Sequence, residues 1–280
     1  MPGDEAALES HLLRHWASSM LLRSNFRAYG LVDEGQPRQA TYVAAWEGAT
    51  IMGMATHFGD GTLLLQAPRS LAPIVRAAVA TSRRPVTRIT GPWPQVEAAV
   101  SALGLPPRTL HSGKPRVLAS LDVGKLQPPD LVTRNEASAR LATQADLNLI
   151  VPWRTAWDLA SGLNTSEAAV RAALDQQIGV HGVFVVESRR SSQPVAMVAY
   201  DVWLPDAVQA GRALLAPALT DARDKAFAAV GVAFAVSAAA AHGVKRAAVL
   251  VDGNDYHTLM AYRALGFTPI GDFGTLMLST

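Results

Sequence analysis

The sequence predicts an α/β protein of the α+β kind, built as two domains, each a mostly antiparallel mixed sheet flanked by helices. Three observations carry this. Strand-like and helix-like periods alternate along the whole chain, and the alternation runs twice, once in each half. The stretch between the halves, GKLQPPDLVTRNEASA, joins the double proline Pro128-Pro129 to a polar run, which suits a connector. At 280 residues, two cores are the default. The expected division is 1–128 and 129–280.

The first half opens with a helical pattern, Leu8, Leu12, Leu13, Trp16, Met20, Leu21 and Phe26 at three- and four-residue spacing, stopped by Gly30. Strands are expected at 40–46, 50–58 and 62–66, separated by Glu47-Gly48 and Gly59-Asp60-Gly61, so they form an antiparallel meander. A helix over 70–81, a strand over 86–90, a helix from Pro94 to Gly104 and a strand near 115–122 complete this half.

The second half begins with a strand, ARLAT. Thr143 then caps a helix, with Asp146 in its first turn, and another helix follows Ser166-Glu167. Strands are expected at 183–188, 194–204 and 207–215. An alanine-rich helix, a strand over 246–252, a helix over 255–264 and a last strand to 278 follow.

Composition excludes several classes of function. With 49% hydrophobic and 17% charged residues, the chain has enough apolar side chain for substantial cores. The net charge is only +2, and Arg83-Arg84 and Arg189-Arg190 are no more than pairs. No basic stripe exists for a nucleic acid. There is no cysteine, hence no disulfide, thiolate nucleophile or sulfur-ligated metal, and the seven histidines lack metal-ligand spacing. No metal is expected. The N-terminal segment is interrupted by acids and lacks a signal-peptide core, and the uncharged run 226–241 is shorter than the roughly 20 residues that span a bilayer. The expectation is a cytoplasmic protein with no membrane partner.

Arg223-Asp224-Lys225-Ala226-Phe227-Ala228 follows a strand and opens a helix. Free backbone N–H groups and the positive end of the helix dipole make such a start a site for a diphosphate. The segment resembles the pyrophosphate loop of the GNAT superfamily of N-acetyltransferases, Q/R-x-x-G-x-G/A, with Ala226 in place of the first glycine. Asn254 through Phe267, with the run YRALGF, resembles the family's N-x-x-(A/S)…Y-x-x-x-G-F ending, and 209–215 occupies the place of its fourth strand. The strand order is also the family's.

The resemblance implies acetyl-CoA as acyl donor and a small-molecule or peptide amine as acceptor. Leu214 and Leu215 would offer backbone hydrogen bonds to the pantetheine arm, and residues 223–228 would hold the diphosphate. Asn254 would contact the arm, although Asp255 has the usual offset of seven from Tyr262. Tyr262 would be the general acid for the departing thiolate. The family's fourth-strand glutamate is missing, since no acid lies between Asp206 and Asp221. Asp201, Asp158 and His257 are the candidate bases, beside a relay of waters, and Asp201 is the one adopted. Arg154 and Trp157 are the acceptor-pocket candidates. Trp153 and Trp203 belong to the same region.

The first half echoes the second without a pyrophosphate loop between Pro68 and Ala80. It resembles the degenerate N-terminal half of tandem GNAT proteins and is expected to shape or cover the acceptor site. Ala226 and the missing acid leave a second reading, a GNAT-like ligand-binding or regulatory protein without catalysis. A homodimer stays open.

Overall fold

The computed structural model describes residues 3–106, 110–191, 193–219 and 221–278, with the side chains of 110–112, 222 and 223 outside the description. The chain divides into two compact units, Met1–Leu118 with Ile270–Thr280, and Ala119–Pro269.

In the first unit, helices α1 (Glu5–Arg14) and α2 (Met20–Tyr29) replace the single opening helix expected, because the chain turns over 15–19 before resuming helix at Met20. Strands β1 (Ala40–Glu47), β2 (Thr50–Phe58) and β3 (Thr62–Gln66) form the expected antiparallel meander. Helix α3 (Leu71–Ser82) crosses over to β4 (Arg88–Pro92), which pairs parallel to β3, and α4 (Trp93–Leu103) follows. Ala55, Leu63, Leu65 and Ile89 alternate along the strands and form one core with Ile74, Val75, Val96 and Ala99 of the two helices. A short strand not foreseen, β5 (Leu110–Ser112), leads to β6 (Arg116–Asp122).

The second unit continues with a one-turn helix, α5 (Asp130–Thr133), and β7 (Ala137–Leu141). Thr143 and Asp146 exchange hydrogen bonds as a capping box at the entry to α6 (Leu147–Ala160), and Ser166 caps α7 (Glu167–Gly179). Strands β8 (Val183–Ser188) and β9 (Pro194–Trp203) are the centre of this sheet. Val183, Val185, Met197 and Ala199 face α6 and α7. Phe184, Val186, Val198 and Tyr200 face α8 (Ala226–Ala241). Coverage on both faces is why these strands are near-continuous apolar runs rather than alternating ones. The same crowding makes α8 buried along most of its length. Among the described residues no helix is long and apolar enough to cross a membrane.

The expected strand 207–215 is two strands, β10 (Ala207–Ala210) and β11 (Leu214–Leu215), separated by Gly211-Arg212-Ala213. Strand β12 (Arg246–Asp252) pairs parallel to β10, and α9 (Tyr256–Ala264) and β13 (Thr268–Leu278) end the chain.

The sequence places the division between 128 and 129, whereas compactness places it between Leu118 and Ala119 and returns the residues from Ile270 to the first unit. Pairing explains the difference. Strand β13 completes the first unit's sheet against β4 and β5, and β6 lies beside β12 in the second. The proline-rich segment 126–136 packs within the second unit, where the Gln127 amide donates to the Leu265 carbonyl and Leu131 and Val230 share a cluster.

Candidate functional site

The second unit's two parallel strands stay paired only from Ala207↔Arg246 to Ala210↔Val249. Beyond Ala210 the chain leaves β12 and follows β9, with Leu214↔Met197 and Leu215↔Ala196 in register. A bulge starts the departure, since Gln209 faces Val202 but Ala210 faces Tyr200, which leaves Asp201 as the extra residue. Gly211 is required at this corner. A Cβ there would stand 2.5 Å from Asp201 Oδ1 and 2.9 Å from the Ala199 carbonyl oxygen. Among the described residues, the amides of Arg212 and Ala213 have no hydrogen-bond partner.

The divergence opens a cavity of about 30 Å³ at the carboxyl ends of the parallel strands, where open α/β sheets hold their ligands. Arg212 and Leu215 come from the diverging chain, Lys225 and Ala228 from the start of α8, Asp252 from the end of β12, and Asp255, Thr258 and Tyr262 from α9. A 3-10 turn, Ala222–Lys225, precedes α8, and its Asp224 carboxylate accepts from the Asp221 amide.

Asp255 is the N-cap of α9. Its Oδ1 accepts from the Thr258 amide at 3.2 Å and its Oδ2 from Thr258 Oγ1 at 2.9 Å, and Lys225 Nζ stands 3.6 Å from Oδ2. Burial raises its pKa, but those two hydrogen bonds and the charges of Lys225 and Arg212 outweigh it and hold the carboxyl below its ordinary range. Stability gained this way is present above the unfolded value of about 3.9 and is lost as pH falls through the folded value. In Asp255→Asn the capping acceptor stays and the charge goes. The wild type should therefore lose about 0.5–1 kcal/mol more than the variant between roughly pH 5 and 3, read from urea midpoints. Equal losses would contradict the assignment.

Tyr262 is 4% exposed and its ring packs on Phe267 at 6.1 Å. Burial pushes the phenol well above its ordinary value, with Arg212 lowering it and Asp255 raising it by smaller amounts. The group is therefore a neutral donor at any physiological pH.

Of the residues singled out in the sequence, Leu215, Lys225, Ala228, Asp255 and Tyr262 meet at this cavity. The others do not line it. Strand alternation turns Leu214 into the core of α6 and α7. Phe227 packs beside Val186 and Val230, and Ala226 is the first residue of α8. The side chain of Arg223 lies outside the described residues. Asn254 is exposed, with its backbone amide donating to Asp252 Oδ1, and its neighbour Asp255, the cap of α9, lines the cavity instead.

Asp201 is exposed and sits over Gly211, with Gln209 Nε2 3.5 Å from its Oδ2. Arg154 donates from Nε to the buried carboxylate of Asp158 at 2.7 Å and lies over the Trp157 ring at 5.0 Å. This local pairing occupies all three, and Trp153 is core. His257 meets Tyr256 edge-on, and Trp203 meets Tyr200 and His242 in the same way. Arg212, Asp252 and Thr258 were not singled out. The carboxyl-end rule for parallel strands points to Asp252, the last residue of β12, whereas Arg212 falls inside the strand expected over 207–215. Among the described residues, no group of three or more His, Cys, Asp or Glu is placed to hold a metal.

The first unit repeats the parallel pair without the opening. Gly91 lies so close to β3 that a Cβ would stand 2.9 Å from Leu65 Cβ, and Gln95 Oε1 accepts from the Ala67 amide.

No family model and no curated protein matches the sequence. Solved structures do match in fold. An acetyltransferase of the GNAT family from Colwellia psychrerythraea aligns over 96% of this chain and 97% of its own, with 14% identity and a TM-score of 0.54. A GCN5-related N-acetyltransferase from Sphaerobacter thermophilus aligns over 99% and 92%, with 10% identity and a TM-score of 0.58. A tandem GNAT protein from the clavulanic acid biosynthesis pathway aligns over 96% and 95%, with 12% identity and a TM-score of 0.52. Over nearly its whole length, the chain has the fold of the GNAT acetyltransferases.

Proposed function

We propose that this protein is an acyl-CoA-dependent N-acyltransferase whose second unit passes an acyl group, acetyl foremost, from a coenzyme A thioester to a primary amine in a ternary complex. The observation that carries this is the divergence after Ala210, which leaves two amides without partners beside a cavity lined by a neutral, buried phenol. The donor set fits such a thioester. The amides of Arg212 and Ala213 match a pantetheine arm, and Lys225, Arg212 and the start of α8 match a diphosphate. The cavity itself has room for about one water, so the Lys225–Asp255 pair must part for the arm to enter.

In this reading the amine nitrogen forms a bond to the thioester carbonyl carbon and the carbon–sulfur bond breaks. Tyr262 gives its proton to the departing sulfur, and a proton leaves the nitrogen for a base, which returns one to Tyr262 through solvent. Asp252 is the better base than Asp201, because it lines the cavity. The products are an amide and a free thiol. The first unit, with its parallel pair closed at Gly91, is a degenerate partner that binds no second thioester.

One observation favours a second reading, binding without turnover: among the described residues no carboxylate of β10 or β11 lines the cavity, and Asp255 is already held by Lys225 and Thr258. Thiol release from acetyl-CoA with a panel of primary amines separates the two. The proposal expects amine-dependent release at about 1 s⁻¹ or faster with the right acceptor. Saturable binding with release no faster than the blank across the panel would favour the second reading.

A further inference from the structure

The first unit contains a cavity of about 650 Å³ that acyl transfer does not use. It lies over the first residues of β3 and β4, the ends opposite to those at which parallel strands hold their ligands. Its volume is that of a small-molecule pocket.

Arginines and hydroxyls supply donors among its polar groups, which also include Asn25, Gln36 and Asp60. Arg88, the first residue of β4, has a buried Nε with no hydrogen-bond partner among the described residues. The acid beside it, Asp60, reaches only to 4.0 Å of Nη2. An orphan donor on a guanidinium is costly and rare, and what a ligand oxygen in the cavity can reach is the rest of the Arg88 side chain, which is 34% exposed. Thr90 and Thr275 share a single hydroxyl–hydroxyl bond of 2.9 Å, which leaves one hydroxyl proton to donate. Arg38 also lines the cavity, steadied by a 2.9 Å hydrogen bond to the Tyr29 hydroxyl and by that ring beneath it.

The remaining wall is apolar. Leu21, Phe58 and Leu64 line it, and Leu21 is 39% exposed there. Two arginines against one aspartate give the lining one net positive charge. A monoanion neutralises it, whereas a phosphate monoester would set a second charge near Asp60.

We propose that this cavity binds a small monocarboxylate with an apolar body, its carboxylate on Arg88 and the Thr90–Thr275 pair and its hydrocarbon against Leu21, Phe58 and Leu64. The site is separate from the acyl-transfer cavity and does not depend on that reading. The test is calorimetric titration of the full chain with hexanoate, hexanol and hexyl phosphate. Hexanoate should bind saturably and hexanol about tenfold or more weakly. Arg88→Met, which keeps the apolar stem, should weaken hexanoate by about tenfold or more. Arg38→Gln, a change on an exposed loop that leaves the fold intact, should weaken it about threefold. The proposal is overturned if hexanoate does not bind by about 10 mM, if hexanol or hexyl phosphate binds as well or better, or if folded Arg88→Met binds like wild type. Should Arg88→Met fail to fold, wild-type affinity in Arg38→Gln overturns it.

Discussion

Tyr262→Phe is expected to lower the turnover number by about a hundredfold or more while changing acetyl-CoA affinity by less than about threefold. The asymmetry follows from what the change removes. The ring fills a buried position against Phe267, and phenylalanine keeps that packing. Only the hydroxyl goes, and with it the proton for the departing sulfur. Because burial raises the phenol above its ordinary value of about 10, the acid form persists on the alkaline side, and Tyr262 should cause no fall in turnover up to about pH 10. A variant with unchanged turnover would remove the hydroxyl from the chemistry. One that lost affinity and kept turnover would make Tyr262 a binding group only.

Phe184→Ala is expected to destabilise the second unit by about 3–5 kcal/mol, the range for truncating a fully buried aromatic. Phe184 has no exposed surface and meets Tyr200 and Phe234 edge-on, with ring centroids 5.2 and 5.8 Å apart. Tyr200 in turn donates its hydroxyl to the Ala235 carbonyl at 2.5 Å, tying β9 to α8. Loss of the ring leaves a void between the two elements that bring Ala228 and the β9 bulge to the cavity. Urea unfolding followed by tryptophan fluorescence should show the transition of this unit move to lower denaturant, with a change of under about 1 kcal/mol arguing that the site collapses around the void.

The elements were legible where local pattern and tertiary setting agree. The meander β1–β3 follows from alternation and glycine turns, and α8 from its uncharged alanine-rich run. The break at Gly211 was not legible, because AVQAGRALL reads as strand throughout. Only the bulge on β9, a property of the paired strand, ends the ladder. That Ala119–Asp122 belongs to the second unit and Ile270–Leu278 to the first was hidden for a related reason, since a strand's pattern marks its faces but not its neighbour.

In the site, Tyr262 was found through its spacing to Gly266-Phe267, whereas Asn254 and Asp255 are separated only by which of them caps α9. Arg154 and Trp157 look like pocket residues in a list. In the fold, an i,i+4 bond to Asp158 and a stacked ring satisfy Arg154 locally.

The central claim is that the divergence of β10 from β12 makes a coenzyme A thioester site. Titration of the full chain with acetyl-CoA by isothermal calorimetry tests it most directly. The account predicts saturable binding of one equivalent, with a dissociation constant between about 1 μM and 1 mM. Heats no different from dilution up to several millimolar acetyl-CoA would contradict it.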